Sequence, residues 1–151
     1  MHVKRVIQDA LIGVALLAAP MALRAQTVVG LQNLDFGAVI PGVPTIVAPT
    51  DAARAGQFRI GGVFIRNVTI TFTLPTVMNG PLGATMPITF GNTDGGYSTF
   101  FQANTPFNPN TPYNETVIFA ATIVLGGRVT PSPTQRGGSY SANIVMTVIF
   151  L

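Results

Sequence analysis

The chain has 151 residues, a formal net charge of +3, no cysteine, no tryptophan and one histidine, at position 2. The absence of cysteine excludes thiol enzymes. If the N-terminal segment that holds His2 is removed, as predicted below, Ser-His-Asp hydrolases and histidine-based metal hydrolases are excluded too, because the base and the metal ligands are missing. The length is that of one domain, whose stability has to come from a packed core without disulfides.

The first 25 residues have the order of a secretory signal peptide. Lys4 and Arg5 precede an apolar run over residues 10–23, and Ala25 closes the segment. A retained transmembrane anchor is the competing interpretation, but the apolar run is shorter than the ~20 residues that a spanning helix needs. We therefore predict cleavage after Ala25 and export of residues 26–151 as a single domain to the periplasm, the cell surface or the exterior, with no membrane span after cleavage.

Removal of that leader leaves five arginines, no lysine and four carboxylates, a formal charge of +1. These charges are spread along the chain and form no basic stripe, so nucleic acid is not expected as a partner. No two carboxylates lie close together in sequence, and an acid–base pair for hydrolysis is therefore not evident. We predict that the protein is not an enzyme and uses no cofactor and no metal.

Period-2 alternation of apolar and polar residues predicts strands in the first half of the mature chain. Residues 57–60 form the first predicted strand, and residues 67–74 form the second, with an outer face that is almost entirely threonine. Residues 85–90 also alternate. Pro87 places this strand at a sheet edge, because proline has no N–H to donate to a neighbouring strand.

The second half of the chain continues the pattern. Residues 117–125 are apolar on both faces, which predicts a strand that lies deeper in the sheet or is partly covered. Residues 140–150 alternate over the longest stretch and predict the longest strand. No stretch has a helical period, so the sequence predicts an all-β fold, preferably an immunoglobulin-like Greek-key β-sandwich behind the cleaved signal peptide.

One loop raises the question of a metal. The segment from Gly91 to Gly96 holds Asn92 and Asp94, whose oxygens are ligands for calcium. A calcium site generally needs six or more oxygens, and this segment offers one carboxylate. The alternative interpretation is a glycine-rich hairpin turn, which requires no ligand.

A set of spaced motifs carries a resemblance to a known family: Leu34-Asp35-Phe36-Gly37, Gln57-Phe58-Arg59-Ile60-Gly61-Gly62, Leu74-Pro75, Gly126-Gly127 and Gly138-Ser139-Tyr140-Ser141. With these motifs the chain resembles the exported bacterial proteins of domain of unknown function 4402, and it is similar in style to spore coat protein U and to fimbrial subunits. Members often have a tyrosine at the place of Phe150 and a glycine at the place of Ala142. The resemblance implies export and a β-sandwich, and it implies no activity.

The C terminus also resembles that of subunits of chaperone–usher pili. Those subunits end in an alternating strand with a penultimate aromatic residue and a glycine fourteenth from the end, the places of Phe150 and Gly138. The resemblance implies a groove beside the last strand, filled by a periplasmic chaperone and then by the N-terminal extension of the next subunit. The assembly candidates are Val29, Leu31, Gly138, Tyr140, Ile144, Val148 and Phe150.

Two interpretations of residues 26–33 stay open at this point. As a donor arm, this short segment would place Val29 and Leu31 in pockets of a neighbour, with Gly30 facing outward. Alternatively, the segment is the first strand of a complete sandwich, since every all-β domain needs alternating terminal strands.

The segment from residue 97 to residue 113 is rich in aromatic and amide side chains. Tyr97, Phe101 and Tyr113 are candidates for stacking on a surface glycan. In the alternative, Phe100 and Phe107 cap the core beneath a long loop, and the two tyrosines are half exposed.

The function predicted from sequence is structural. We expect an exported, non-enzymatic β-sandwich that is a subunit or minor component of a bacterial surface fibre or coat and that associates with like subunits or other fibre proteins through sheet edges. The alternative function is that of a secreted or periplasmic module that binds a glycan through the segment from residue 97 to residue 113.

Overall fold

The computed structural model describes residues 26–62 and 64–151, which form twelve β-strands and one 3₁₀ turn. The predicted signal peptide over residues 1–25 lies outside the described residues. Across the described ranges, no helix is long and apolar enough to cross a membrane. The strands are β1 (Thr27–Gln32), β2 (Thr45–Val47), β3 (Gly56–Gly61), β4 (Ile65–Thr73), β5 (Val77–Asn79), β6 (Thr85–Thr89), β7 (Gly95–Thr99), β8 (Gln102–Phe107), β9 (Tyr113–Ile118), β10 (Ala121–Leu125), β11 (Gly127–Val129) and β12 (Val145–Phe150).

The strands form three antiparallel sheets, and the all-β prediction is confirmed. A five-stranded sheet has the order β1-β3-β10-β7-β8, a three-stranded sheet the order β12-β4-β9, and a four-stranded sheet the order β2-β11-β6-β5. The five-stranded and three-stranded sheets face each other across a shared apolar core, as in a β-sandwich. Its buried members are Ile60, Val68, Ile70, Tyr97, Phe107, Val117, Ala121 and Ile123.

A second core lies under the four-stranded sheet. Its buried residues are Phe36, Val47, Ala55, Met86, Ile88 and Val129. Leu34, Val39 and Tyr140 pack against it, so the Leu34-Asp35-Phe36-Gly37 motif and the Gly138-Ser139-Tyr140-Ser141 motif both contribute to this second core. Two motifs that are far apart in sequence thus serve one packing unit.

The strand predicted over residues 67–74 is confirmed as β4. Val68 and Ile70 are fully buried, and the threonines of the alternation lie on the opposite face. On that outer face, the Thr69 hydroxyl donates to Asn114 Oδ1 at 2.7 Å, and the Thr116 hydroxyl donates to Asn67 Oδ1 at 2.8 Å, both across the β4–β9 pair. The polar face is therefore tied across two strands by side-chain hydrogen bonds.

The strand predicted over residues 140–150 is shorter than expected. β12 begins only at Val145, and β4, with nine residues, is the longest strand. Ser141 exchanges two backbone hydrogen bonds with Asn79 of the four-stranded sheet, at 2.8 and 2.9 Å. The chain therefore leaves one sheet and enters another inside the alternating segment, which a period-2 pattern alone does not reveal.

The single strand predicted over residues 117–125 is wrong, because the chain turns a corner inside it. β9 ends at Ile118 and β10 begins at Ala121, and Phe119 between them has a φ of 64°. The predicted depth is confirmed for β10, which is an inner strand of the five-stranded sheet, with Ile123 and Leu125 fully buried.

The edge position predicted from Pro87 is also wrong. β6 lies between β5 and β11, and Pro87 is opposite Val77. On the other side, the Thr130 N–H donates to Pro87 O at 3.0 Å, just after β11 ends. Pro87 thus lies at the end of a short pairing with β11, where the N–H group that proline lacks is missed least. An inner strand therefore tolerates a proline at this position.

The segment from Gly91 to Gly96 forms a turn, but it closes no hairpin, because β6 and β7 belong to different sheets. The Gly91 N–H donates to Asp94 Oδ2 at 2.6 Å, and the Asp94 N–H donates to Gly91 O at 3.2 Å. Asp94 therefore has a role in the turn itself. Among the described residues, no group of three or more His, Cys, Asp or Glu side chains is placed to hold a metal ion.

We expect Ile123→Ala to lower the free energy of unfolding by about 2–5 kcal/mol, because the side chain is fully buried and its loss leaves a cavity. Ile46, which is 60% exposed, provides the matched control, and Ile46→Ala should cost less than about 1 kcal/mol. Urea denaturation measures both values. Equal losses in the two variants would contradict the assignment of the core.

Candidate functional site

Strands β1 and β12 are edge strands of the two facing sheets, and they border the same side of the fold. A cavity of about 320 Å³ lies at one end of this side, between the end of β1 and residues 142–144, which lead into β12. We call the space between β1 and β12 the edge groove. The cavity is lined by Gly30, Gln32, Asn33, Leu34, Gly56, Phe58, Leu125, Ala142, Asn143 and Ile144.

The core-facing side chains of β12 are incompletely covered along this groove. Met146, Val148 and Phe150 point into the shared core, since Val148 and Phe150 are opposite the fully buried Ile70 and Val68 of β4. The β12 side chains are nevertheless only partly buried. Because they share a face with fully buried neighbours, the exposure comes from the side where no further strand is paired.

The backbone of β12 has a free edge at the same place. The Leu151 N–H donates to Asn67 O at 2.9 Å, which fixes the alternation of the β12–β4 ladder. In an antiparallel pair, residues that bond to the partner alternate with residues that bond away from it. Met146, Val148 and Phe150 therefore direct their N–H and C=O groups into the groove, where no described strand pairs with them.

Apart from β1, the other sheet edges are protected by features that prevent pairing. β8 contains Pro106, and β9 carries Glu115 opposite Val68, on the core side of the strand. β2 and β5 are only three residues long. Proline, an inward-pointing charge and short length are devices that prevent edge-to-edge pairing. β12 has none of these devices over its six residues.

The structure separates the predicted assembly residues into two groups. Ile144, Val148 and Phe150 lie along the edge groove. Gly138 and Tyr140 instead line a cavity of about 510 Å³ beside the second core. Tyr140 accepts a hydrogen bond from Gln135 Nε2 at 2.6 Å and donates to Arg136 O at 2.8 Å, so its role there is packing and loop fixation.

Residues 26–33 contain β1, which pairs with β3 in the same sheet of its own chain. Val28 and Gly30 are opposite Ile60 and Phe58 and so share the core side, whereas Val29 is opposite the exposed Arg59 on the outer face. Leu31 lies at a bulge and is 56% exposed. In this register Val29 faces away from the core of its own chain. The placement of Val29 and Leu31 in pockets of a neighbouring subunit, with Gly30 facing outward, stays a prediction.

Sequence reasoning missed Met146 and Phe58 as groove residues. Met146 belongs to the same alternation as Ile144 and Val148, so the periodicity already contained the signal. Phe58 lines the cavity from β3, and its ring contacts Phe72 edge-on at 5.7 Å between centroids. No sequence signal connects Phe58 to β12, because the connection depends on how the two sheets face each other.

The glycan candidates do not form an exposed surface. Tyr97 is fully buried, against the expectation of half exposure, and its hydroxyl donates to Thr116 O at 3.0 Å. The Tyr113 ring is half-buried and stacks on Phe107 at 4.3 Å, and its hydroxyl donates to Glu115 Oε2 at 2.9 Å. Only Phe101, which is 65% exposed, lies at the surface.

These positions follow because much of this segment forms a hairpin, where a long loop was expected. β7 and β8 form antiparallel strands over most of the segment, and β7 directs Tyr97 into the core. Gly95 lies against the Phe107 ring, and an added Cβ would come within 2.7 Å of it. Phe100, expected to cap the core, is in the hairpin turn and is 90% exposed.

Burial and the nearby Glu115 carboxylate change the ionisation of the two tyrosines. Burial, followed by the charges of Glu115 and Tyr113, raises the pKa of Tyr97 to about 12. Burial, followed by the hydrogen bond to Glu115 and its charge, raises the pKa of Tyr113 to about 12. Both rings are kept neutral by the fold over the range in which a free tyrosine ionises.

Comparisons of the chain with protein-family models and with curated proteins found no match. The resemblances described from the sequence motifs therefore stay predictions.

We expect the protein to lose stability as the pH rises from about 10 to about 12. An unfolded tyrosine releases its proton near pH 10, whereas Tyr97 and Tyr113 in the folded protein hold theirs to about pH 12. Each rise in pH between these values therefore lowers the free energy of unfolding. In Tyr97→Phe/Tyr113→Phe the decline should be shallower, although the variant is less stable at pH 7 by about 1 kcal/mol for each lost hydrogen bond. Thermal unfolding at several pH values measures this, and an equal decline in both proteins would contradict it.

Proposed function

We propose that the protein is an exported, non-enzymatic subunit or minor component of a bacterial surface fibre or coat, with an immunoglobulin-like sandwich that assembles through its sheet edges. The observation that carries the proposal is the edge of β12, which combines a free backbone ladder with a partly exposed apolar row. An extended strand from a partner matches both features at once.

Strand addition at β12 has a simple physical basis. The partner strand hydrogen-bonds with the N–H and C=O groups of Met146, Val148 and Phe150, and its alternate side chains cover the apolar row. The main-chain bonds supply affinity for any extended chain, and the fit of side chains into the groove supplies specificity. A periplasmic chaperone that offers a strand would cover the same edge before assembly.

The partner strand in the assembly is β1 of a like subunit. β1 is itself an edge strand, and Val28 and Val29 are 40% and 45% exposed. It can therefore dock against β12 of a neighbour while it stays paired with β3 of its own chain. Because two different edges meet, the contact is heterologous, and it continues from one subunit to the next where no reciprocal contact or ring closes it.

The charge distribution supports association of this kind. Neither β1 nor β12 contains a charged residue, so no like charges are brought together when these strands pair. The glycan-binding alternative receives no comparable support, because Tyr97 and Tyr113 are engaged in the core.

Two proline substitutions test the proposal with a matched pair. Val148 directs its N–H into the groove, so Val148→Pro should leave the β12–β4 ladder intact and prevent the incoming strand from pairing. Thr147 directs its N–H to β4, and Thr147→Pro should therefore destabilise the monomer itself. The readouts are solution mass by light scattering after size-exclusion chromatography and thermal unfolding by circular dichroism.

Material for this test comes from export of the full 151-residue chain in a bacterial host, with the N terminus checked by mass spectrometry. The natural sequence should give a ladder of species or very large species, and Val148→Pro a folded monomer. A natural chain that stays monomeric, or a Val148→Pro variant that is folded and assembles as before, would refute assembly through β12.

A further inference from the structure

Four exposed phenylalanines meet at one end of the fold, on three different turns. Phe64 precedes β4, Phe100 and Phe101 form the β7–β8 turn, and Phe119 lies between β9 and β10; they are 73%, 90%, 65% and 53% exposed. Ring centroids are 5.6 Å apart for Phe64 and Phe119, 6.3 Å for Phe119 and Phe101, and 5.0 Å for Phe101 and Phe100. We call this continuous surface the aromatic end.

The backbone holds Phe119 in an unfavourable conformation at the centre of this surface. Its φ is 64°, and the Ala120 N–H closes a three-residue turn by donating to Ile118 O at 2.8 Å. Glycine or asparagine adopts such a φ at lower cost than phenylalanine. The fold thus keeps a strained residue whose ring is largely exposed, a combination that points to a role in binding.

A second turn is fixed to the first. The Phe119 N–H donates to Phe64 O at 3.1 Å, so the rings are presented by connected backbone segments. Exposed apolar surface of this extent, made of rings on adjacent turns, is typical of a site for a partner or a membrane.

The exposed charged side chains nearest to the aromatic end are two arginines. Arg59 and Arg66 are exposed on β3 and β4, a few residues before and after the turn that holds Phe64. Asp51 and Asp94 lie towards the opposite end, where Gly56, Leu125 and Gly95 are paired with one another across the sheet. Glu115 is nearer, opposite Val68 on β9, but it is partly buried and accepts a hydrogen bond from the Tyr113 hydroxyl. The exposed charges beside the rings are therefore those of arginine.

The N-terminal segment joins the fold at this same end. Thr27, the first residue of β1, is opposite Gly61 at the end of β3. The segment before it contains the apolar run over residues 10–23. In sequence, an apolar segment thus precedes the domain at the end where the aromatic rings lie.

We propose that the aromatic end docks on an anionic lipid membrane. The four rings enter the boundary between headgroups and acyl chains, and Arg59 and Arg66 pair with lipid phosphates. The docking keeps the exported domain at the membrane surface after its N-terminal segment is removed. It uses neither β12 nor the edge groove, so it is independent of fibre assembly.

The test is flotation of the exported protein with vesicles that contain phosphatidylethanolamine and phosphatidylglycerol, and with vesicles of phosphatidylcholine alone. We expect binding that is stronger to the phosphatidylglycerol vesicles. Phe64→Ser/Phe100→Ser should weaken it about tenfold or more, and Arg59→Gln/Arg66→Gln should remove the preference for anionic lipid. The matched control is Ile40→Ser/Ile46→Ser, which removes two apolar side chains that are 65% and 60% exposed elsewhere and should bind as the natural protein does.

Phe119→Gly removes the central ring and keeps the backbone conformation, because glycine adopts a positive φ without steric cost. It should unfold at an equal or higher temperature than the natural protein and bind the vesicles more weakly. Absence of flotation, or an equal loss in the Ile40/Ile46 control, would overturn the proposal. A lipid-free solution mass that falls in Phe64→Ser/Phe100→Ser would also overturn it, since the rings would then contact a second copy of the chain.

Discussion

The pairing of β12 with β4 determines which edge of the shared core stays open. It gives the three-stranded sheet its last strand, and no described strand continues that sheet beyond it. The five-stranded sheet opposite is wider, so the shared core is covered by two sheets of unequal width. Met146, Val148 and Phe150 are partly exposed as a direct consequence. The groove, the free backbone groups and the proposed assembly all depend on this one pairing.

The edge strands on the two sides of the sandwich differ in their charged residues and prolines. On the β8–β9 side, Pro106 and the inward-facing Glu115 interrupt the edges, and Glu115 also bonds the Tyr113 hydroxyl. On the β1–β12 side, the strands are free of charge and proline. On the β8–β9 side, these residues hinder pairing with the edge of another molecule, whereas the β1–β12 side is favourable to strand addition. The aromatic end is a third surface, and it consists of exposed phenylalanine rings instead of strand edges.

Local periodicity predicted much of the fold and part of the site. It located β3, β4 and β6, and it placed Ile144, Val148 and Phe150 on one face, because side-chain alternation is a local property. It failed where the chain changes sheets without interrupting its pattern. Tyr140 and Ile144 alternate in one run, but Tyr140 packs against the second core and Ile144 lines the cavity at the edge groove. The face of Val29 depends on its register with β3, which is a long-range property.

Residue-specific amide hydrogen exchange of β12 tests the central claim most directly. In the monomer, the amides of Met146, Val148 and Phe150 should exchange rapidly, and those of Thr147, Ile149 and Leu151 should be protected by β4. In the assembled state, the first group should become protected as well. Uniform protection along β12 in the monomer, or continued rapid exchange of the first group after assembly, would contradict the account of an open edge that accepts a strand.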